Sequence, residues 1–418
     1  MALTVHKFGG GVLDAPQRVG RLSERLDAGP SGGLIVVSAF YGTTRRLEAL
    51  VNRAWEGDHA TAEQQWRAIQ DEHLAWAEQL LDHPDDFRNA LEQYAEPLHP
   101  APTEYTDYGA FYDAVVSQGE MMSSLLVYLR LRQEGRPVFF ADARELVVTD
   151  EGHTAAGVDW HATRTRIETL KDILDEGRWV ITQGFIGRSR RGQVTTLGKE
   201  GSDYSAALFA AALDAEAVTL WKNVPGILTA DPQWDPTAQT IPVLSYDDAY
   251  RLGRLGAQVL HPMTLEVART HRLRVRVPSF DHPGAGTTIG EENSAFSGRG
   301  MVIRKVRAAY IDRDDREPFF RAAQDLALDV IAHHPVGKRL LIVGAPNAAK
   351  WHAVARHLTN PYQDARRNHQ PAPFEAWWVT LLGGHPLPDR LAKLQTVSVI
   401  PYAEGTWRGE QLLVRAIG

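Results

Sequence analysis

Strand-like and helix-like segments alternate along the first two thirds of this 418-residue chain, and that alternation confines it to a narrow set of architectures. The strand patterns fall at 2–7, 34–38, 137–140, 178–183, 217–221 and 273–277. Helical patterns lie between them, most clearly at 16–26, at 115–131 with Met122, Leu125, Leu126 and Leu129 on one side, and at 202–213. Regular βα alternation predicts an α/β fold of three layers (αβα), with a mostly parallel central sheet covered by helices on both faces. Residues from about 55 to 110 read as a helical insertion, because Trp66, Ile69, His73, Trp76 and Leu80 recur at three- and four-residue spacing. A stripe of that kind packs into a core more often than it binds a ligand.

The pattern changes after a loop-like stretch at 279–300, which contains Asp281-His282-Pro283-Gly284-Ala285-Gly286 and Ser297-Gly298-Arg299-Gly300. Strands are expected at 308–311, 330–333 and 340–344, with helices at 317–328 and 348–358. A weaker second pass gives strands at 376–382, 397–402 and 410–414 around a helix at 386–393. Two βαββ units in tandem are the simplest account. A single α+β tail that supports a dimer is the alternative. The expected organisation is therefore one domain over 1–290 and a second over 301–418.

Composition removes several kinds of chemistry. The chain has no cysteine, so disulfides, thiolate metal sites and cysteine nucleophiles are all excluded. A net charge of -7 gives no electrostatic reason to expect nucleic acid or an acidic membrane as partner. No apolar run approaches a spanning helix and the start does not read as a signal peptide, which points to the cytoplasm. Only eight lysines stand against 37 arginines, so the three at Lys7, Lys199 and Lys222 draw notice by falling inside candidate site segments.

Four segments carry that site. Val5-His6-Lys7-Phe8-Gly9-Gly10-Gly11 sets a cation at a strand end, before glycines that let backbone N–H groups approach a phosphate. It is not a P-loop, in which the lysine follows the glycines, and an ordinary tight turn would look similar. Ser38-Ala39-Phe40-Tyr41-Gly42-Thr43-Thr44 leaves the strand at 34–37 with several hydroxyls, where open α/β sheets collect ligands and where helices also take simple caps. Glu120 places a carboxylate among small and apolar residues, as an ammonium ligand or a solvated helix residue. Finally Thr195-Thr196-Leu197-Gly198-Lys199-Glu200-Gly201-Ser202-Asp203 reads as a loop running into a small-residue helix, a start that favours anions.

Taken in order, these segments resemble the aspartate kinases of the amino acid kinase superfamily. The matching pieces also include Gly119-Glu120-Met121-Met122-Ser123, Gly184-Phe185-Ile186-Gly187, Val224-Pro225-Gly226-Ile227 with Asp231-Pro232, and Gly256-Ala257 with Val259-Leu260-His261-Pro262. The resemblance covers nearly the whole chain and is weaker in the tail. It implies transfer of the γ-phosphoryl group of ATP, brought with Mg2+, to the side-chain carboxylate of L-aspartate, the first step towards lysine, threonine and methionine. It also implies tandem ACT-type regulatory units, lysine or threonine as effector, and a homodimer or larger homo-oligomer.

The same resemblance assigns residues. Lys7 would neutralise phosphate charge as the catalytic cation, and Asp203 with Glu120 would hold the substrate ammonium. Lys199 stands where the family has the arginine that pairs with the substrate carboxylate, and Ser38, Thr44 and Ser202 complete the pocket. Gly9, Gly10, Trp221, Lys222, Asn223, Gly226 and Asp231 would lie on the nucleotide side, with no dedicated protein site for the metal. Departures are concentrated there: Lys222-Asn223 replaces Thr-Asp, Leu228 a tyrosine, Gln233 an arginine and Gln258 a lysine, while Glu200 replaces a glycine. A lysine at 199 also lacks the planar fork of arginine. These changes leave two other readings: a silent paralogue that binds amino acids or a partner, and a kinase for another amino-acid carboxylate.

Overall fold

The computed structural model describes residues 3–27, 32–94, 105, 107–255, 257, 260–291, 294, 296, 300–312, 316–325, 330–336, 339–344, 374–382, 395–404 and 407–415. The helices expected at 348–358 and 386–393, the connection at 359–373, and Gly256, Gln258 and Val259 lie outside these residues. The chain divides into two compact units. The first comprises Met1–Ile227, Thr240–Gly253 and Val259–Ala295, and the second Leu228–Gln239, Arg254–Gln258 and Phe296–Gly418.

The first unit opens with β1 (Thr4–Phe8), α1 (Pro16–Gly20), α2 (Leu22–Leu26), β2 (Gly33–Val37) and α3 (Thr43–Trp55). A helical stretch follows: α4 (His59–Leu80), α5 (Asp85–Tyr94), α6 (Tyr108–Val116) and α7 (Gln118–Gln133). Next come β3 (Val138–Phe140), α8 (Ala143–Leu146), β4 (Val148–Thr149), α9 (Trp160–Glu168), α10 (Lys171–Asp175), β5 (Trp179–Gln183), β6 (Ile186–Ser189) and β7 (Val194–Thr196). The unit closes with α11 (Gly201–Ala212), β8 (Ala217–Trp221), β9 (Val243–Ser245), α12 (Tyr246–Leu255), α13 (Pro262–Thr270), β10 (Arg274–Pro278) and β11 (Gly286–Gly290).

The main sheet runs β3-β5-β2-β1-β8-β10-β11-β9. All its pairings are parallel except β10 with β11. Strand order leaves β1 in opposite directions, towards β2 on one side and β8 on the other, so β1 lies at a switch point where open sheets bind ligands. Side-chain alternation splits the strands between two layers. Phe8, Ile35, Val37, Trp179, Ile181 and Trp221 join a core cluster with residues of α1 to α7. The alternating Val5, Leu34, Val36, Val180, Val218 and Leu220 are equally buried. There the helix over β1 is α11, whose Ala206, Ala207, Ala210, Ala211 and Ala212 permit close packing.

The aromatic stripe of α4 belongs to the core. Ile69, Ala77 and Leu80 are buried, Trp66 and Trp76 pack against the same cluster, and Trp76 stacks on Phe40 with centroids 4.4 Å apart. Two helices expected as continuous are broken. The segment at 16–26 divides at Arg21, whose backbone sits at φ -94° and ψ 2°. That at 115–131 divides at Ser117, whose hydroxyl donates to the Ala114 carbonyl at 3.0 Å, a local bond that competes with regular helix. Two stretches read as loop are strands. Val194–Thr196 pairs with β6 in a small sheet, and Gly286–Gly290 forms an antiparallel ribbon with β10. Both are short and rich in glycine or threonine, so neither shows an apolar period.

In the second unit, β12 (Gly300–Asp312), α14 (Arg316–Asp325), β13 (Val330–Val336), β14 (Arg339–Gly344), β15 (Phe374–Leu382), β16 (Gln395–Glu404) and β17 (Trp407–Arg415) follow in turn. They form an antiparallel sheet ordered β13-β14-β12-β15-β17-β16. β12 is far longer than the strand expected at 308–311, because its first half pairs with β15 and its second with β14.

Helix α11 starts from a strained residue. Glu200 takes a left-handed backbone with φ 57° and ψ 22°, a conformation that an L side chain adopts at a cost. Glu200→Gly is expected to raise stability by roughly 0.5–1 kcal/mol, the strain relieved less the extra chain entropy of glycine. A shift of the urea midpoint to higher concentration checks it.

Candidate functional site

The ends of β1 and β8, the loop after β2 and the start of α11 enclose a cavity of about 660 Å³. Its centre is a buried cluster of three charges. Lys7 ends up on the same side of the sheet as α11, and its Nζ lies 2.6 Å from Asp203 Oδ1. Lys222, just beyond β8, donates from Nζ to Asp203 Oδ2 at 2.8 Å. One carboxylate thus serves two ammonium groups at the cavity floor, which leaves net positive charge facing inward. Burial opposes ionisation of Asp203, but the two lysines outweigh it and hold the carboxyl well below the usual carboxylate range. Burial, reinforced by Lys222, lowers the Lys7 ammonium despite the pull of Asp203.

Glycines make room for this cluster. A Cβ on Gly9 would lie 2.9 Å from Lys7 Nζ, and one on Gly10 would lie 2.9 Å from the Ala39 carbonyl oxygen. The loop after β1 therefore fits only against bare backbone. Gly184 does the same for α11: its Cβ would fall 2.6 Å from Ser202 Cβ, so the first turn seats directly on the end of β5. Ser202 and Asp203 are buried in that turn and line the cavity with Ser38 and Thr44.

Glu120 forms the opposite wall. It is 3% exposed, and its Oε1 accepts the Ala39 N–H at 3.2 Å. Its Oε2 is buried without a hydrogen-bond partner. Burial is the main cause that pushes its carboxyl from the ordinary 4.5 up to about 8, against the opposing influence of the Ala39 N–H and Lys7. A buried carboxyl group with one unserved oxygen fits a cationic donor such as an ammonium group, whose charge favours its ionised form. The Ser38 hydroxyl is likewise buried and unpartnered.

Lys199 and Glu200 line the cavity as exposed residues. Asn223 lies beside Gly11, whose added Cβ would stand 3.6 Å from its Nδ2, so the loops after β1 and β8 meet there. Trp221 points the other way, into the core, and stacks on Phe8. Gly226 takes a left-handed φ of 98° against Thr287, away from the cavity lining. Asp231 belongs to the second unit, where its Oδ1 accepts the Gln233 N–H.

Several lining residues had no sequence signal. Tyr112 and Glu48 meet across α6 and α3, the phenol donating to Glu48 Oε1 at 2.9 Å. Thr154 reaches the cavity because the buried Asp113 carboxylate accepts its N–H at 3.1 Å, the Thr196 hydroxyl at 2.5 Å and a contact from His153 Nδ1 at 2.8 Å. The positive φ of Phe185 (70°), with its N–H donated to Ser205, turns another backbone into the wall. Among the described residues no group of three or more His, Cys, Asp or Glu could hold a metal ion. The cavity carboxylates fit no metal cage: Asp203 is taken by lysines and Glu48 by Tyr112.

These features define a doubly wound α/β protein whose switch-point pocket sets Lys7, Lys199 and Lys222 beside Asp203 and Glu120. The chain belongs to the amino acid kinase family, whose model matches residues 2–279. It is 34% identical over 291 residues to the lysine-sensitive aspartokinase 3 of Escherichia coli, a match covering 69% of this chain and 64% of that protein. It is 35% identical over 211 residues to an aspartokinase of Geobacillus stearothermophilus, covering 50% and 49%. The chain thus matches less than two thirds of the length of either relative. Its fold is similar to that of E. coli aspartokinase III solved with aspartate and ADP, with a TM-score of 0.76, 24% identity, and coverage of 99% of this chain and 96% of that one.

The raised Glu120 carboxyl has a consequence for stability. The folded state retains a proton that the unfolded state releases above the ordinary carboxylate range, so this group's stabilisation is full below about 4.5 and lost as pH rises through about 8. Glu120→Gln should flatten the fall in ligand-free stability between those limits and make the variant the more stable protein above pH 8. Urea unfolding across that range measures both effects.

Proposed function

We propose that this chain is an aspartate kinase, which transfers the γ-phosphoryl group of ATP to the side-chain carboxylate of L-aspartate and yields 4-phospho-L-aspartate. The observation that carries this reading is the pairing of opposites across one cavity: Lys7 and Lys222 held by Asp203 on one side, and the unserved oxygen of Glu120 on the other. The cations suit phosphate, and the carboxylate suits the substrate ammonium.

A carboxylate is already a nucleophile at neutral pH, so the reaction needs no general base and rests on placement and charge neutralisation. The aspartate carboxylate oxygen attacks the γ-phosphorus as the bond to the bridging oxygen of ADP breaks. Lys7 offsets the charge on the equatorial oxygens, and Asp203 keeps Lys7 and Lys222 in place. Ser38, Thr44 and Ser202 surround the acceptor, while Lys199 serves its α-carboxylate. Gly9, Gly10, Lys222 and Asn223 border the phosphates. Mg2+ enters with the nucleotide, and no step is assigned to it.

Residues 1–290 would form the catalytic domain and 301–418 an ACT-like regulatory domain, supported by the βαββ order of β12, α14, β13 and β14. We further propose a cytoplasmic homodimer or larger homo-oligomer that responds to lysine or threonine. The lysine-sensitive E. coli relative favours lysine. No helix among the described residues is long and apolar enough to cross a membrane.

Trapping the acyl phosphate with hydroxylamine should give aspartyl hydroxamate from ATP, Mg2+ and aspartate. Lys7→Ala is expected to lower kcat by roughly 10²–10³-fold, the loss typical of a charge-stabilising donor. No hydroxamate, together with no calorimetric binding of Mg-ATP, would overturn the reading and leave the silent paralogue. Hydroxamate from another amino acid in preference to aspartate would move the activity to that acceptor. Lys199→Arg, which adds a planar fork, should lower KM for aspartate with little change in kcat.

A further inference from the structure

The face of β1, β8 and β10 opposite Lys7 holds a second cavity, of about 370 Å³, lined among others by Thr4, His6, Arg25, Thr219, Trp221 and Arg276. His6 is its most constrained member. The ring is 7% exposed, lies edge-on to Trp179 and stacks near Trp221. The Trp221 Nε1–H donates to His6 Nδ1 at 3.3 Å. An indole can only donate, so Nδ1 is the acceptor and the proton of the neutral ring sits on Nε2. That nitrogen is buried and has no hydrogen-bond partner. Burial and the nearby Arg276 charge lower the ring to about 4, which keeps it a neutral donor at physiological pH.

An unserved buried donor costs about 1–3 kcal/mol, so a ring that lines a cavity and carries such a donor asks for an acceptor. The other polar groups of the lining supply the rest of a pattern: two guanidinium groups and the hydroxyls of Thr4 and Thr219, all able to donate. Arg276 is anchored by Glu216 through Nη2 at 3.1 Å. Arg25 is anchored by the Phe280 carbonyl at 2.7 Å, with Glu24 3.6 Å away. These contacts hold both cations in place at the cavity. Trp221, Val277 and Pro278 give it an apolar side.

We propose that this cavity binds a small molecule through an oxyanion, a carboxylate or a phosphate group, received by His6 Nε2–H with Arg25 and Arg276. The site is separate from the Lys7 cavity, although both are built on the same strands: His6 and Lys7 are consecutive on β1, and Trp221 and Lys222 are consecutive at the end of β8. The proposal does not depend on the reaction proposed above.

The test uses the full chain with 15N-labelled histidine and follows the His6 Nε2–H resonance, assigned by its disappearance in His6→Gln. Inorganic phosphate and acetate are titrated separately, with chloride at equal ionic strength as control. The expected result is a saturable shift with at least one oxyanion, weakened ten-fold or more in Arg276→Gln and in Arg25→Gln. Tighter response to phosphate assigns a phosphate-bearing ligand, and tighter response to acetate a carboxylate. No shift with either anion overturns the proposal. So does a shift that chloride reproduces, which would mean an adventitious ion only, or one that both arginine variants leave unchanged. Arg276 reaches solvent, so its variant tests the site without emptying the core.

Discussion

The first unit depends on one buried carboxylate. Asp203 is 1% exposed, and each of its oxygens faces a different lysine. Three chain segments far apart in sequence are tied there: the end of β1, the residue after β8 and the first turn of α11. Two like charges at this distance would repel and lose hydration without compensation, and removing one partner of a buried pair typically costs about 3–5 kcal/mol. The carboxylate is thus a structural necessity for the cations. It also leaves them with unspent positive charge at the cavity floor.

Close approach follows from the same constraint. Gly9, Gly10 and Gly184 stand where a Cβ would meet Lys7 Nζ, the Ala39 carbonyl or Ser202. The alanines of α11 play the equivalent part on the helix side. Strain is accepted at the margins, in the left-handed backbones of Phe185, Glu200 and Thr154, all three on the cavity wall. Glu200 pays for its side chain in conformational energy, and that side chain places a charge on the cavity lining. The neighbouring Lys199 adds a cation there.

Much of the first unit is legible from its sequence, because fully buried parallel strands must be written as apolar runs. The strands at 34–38, 178–183 and 217–221 lie within a residue of Gly33–Val37, Trp179–Gln183 and Ala217–Trp221. The break at Ser117 is not legible, since it rests on a local hydroxyl bond, and at Arg21 the preceding Gly20 is the single sequence mark of a break. The short strands Val148–Thr149, Ile186–Ser189 and Val194–Thr196 carry too few residues for a period. The lining supplied by Tyr112, Glu48 and Thr154 has no motif, because Tyr112 meets Glu48 from 64 residues away and Asp113 holds Thr154 from 41 residues away.

The sequence by itself determined the alternating architecture, the order of the motifs and the residue types of the site, since local spacing and hydrophobic period are properties of neighbouring residues. It placed Lys7, Glu120 and Asp203 among candidates but could not say which faced which. Tertiary structure decided that Asp203 joins Lys7 to Lys222, that Trp221 turns away from them, and that Glu120 keeps one oxygen unserved. It also decided that His6 opens on a second cavity behind Lys7. Side chains one residue apart on a strand point to opposite faces, and only the packing of helices against those faces determines what each one meets.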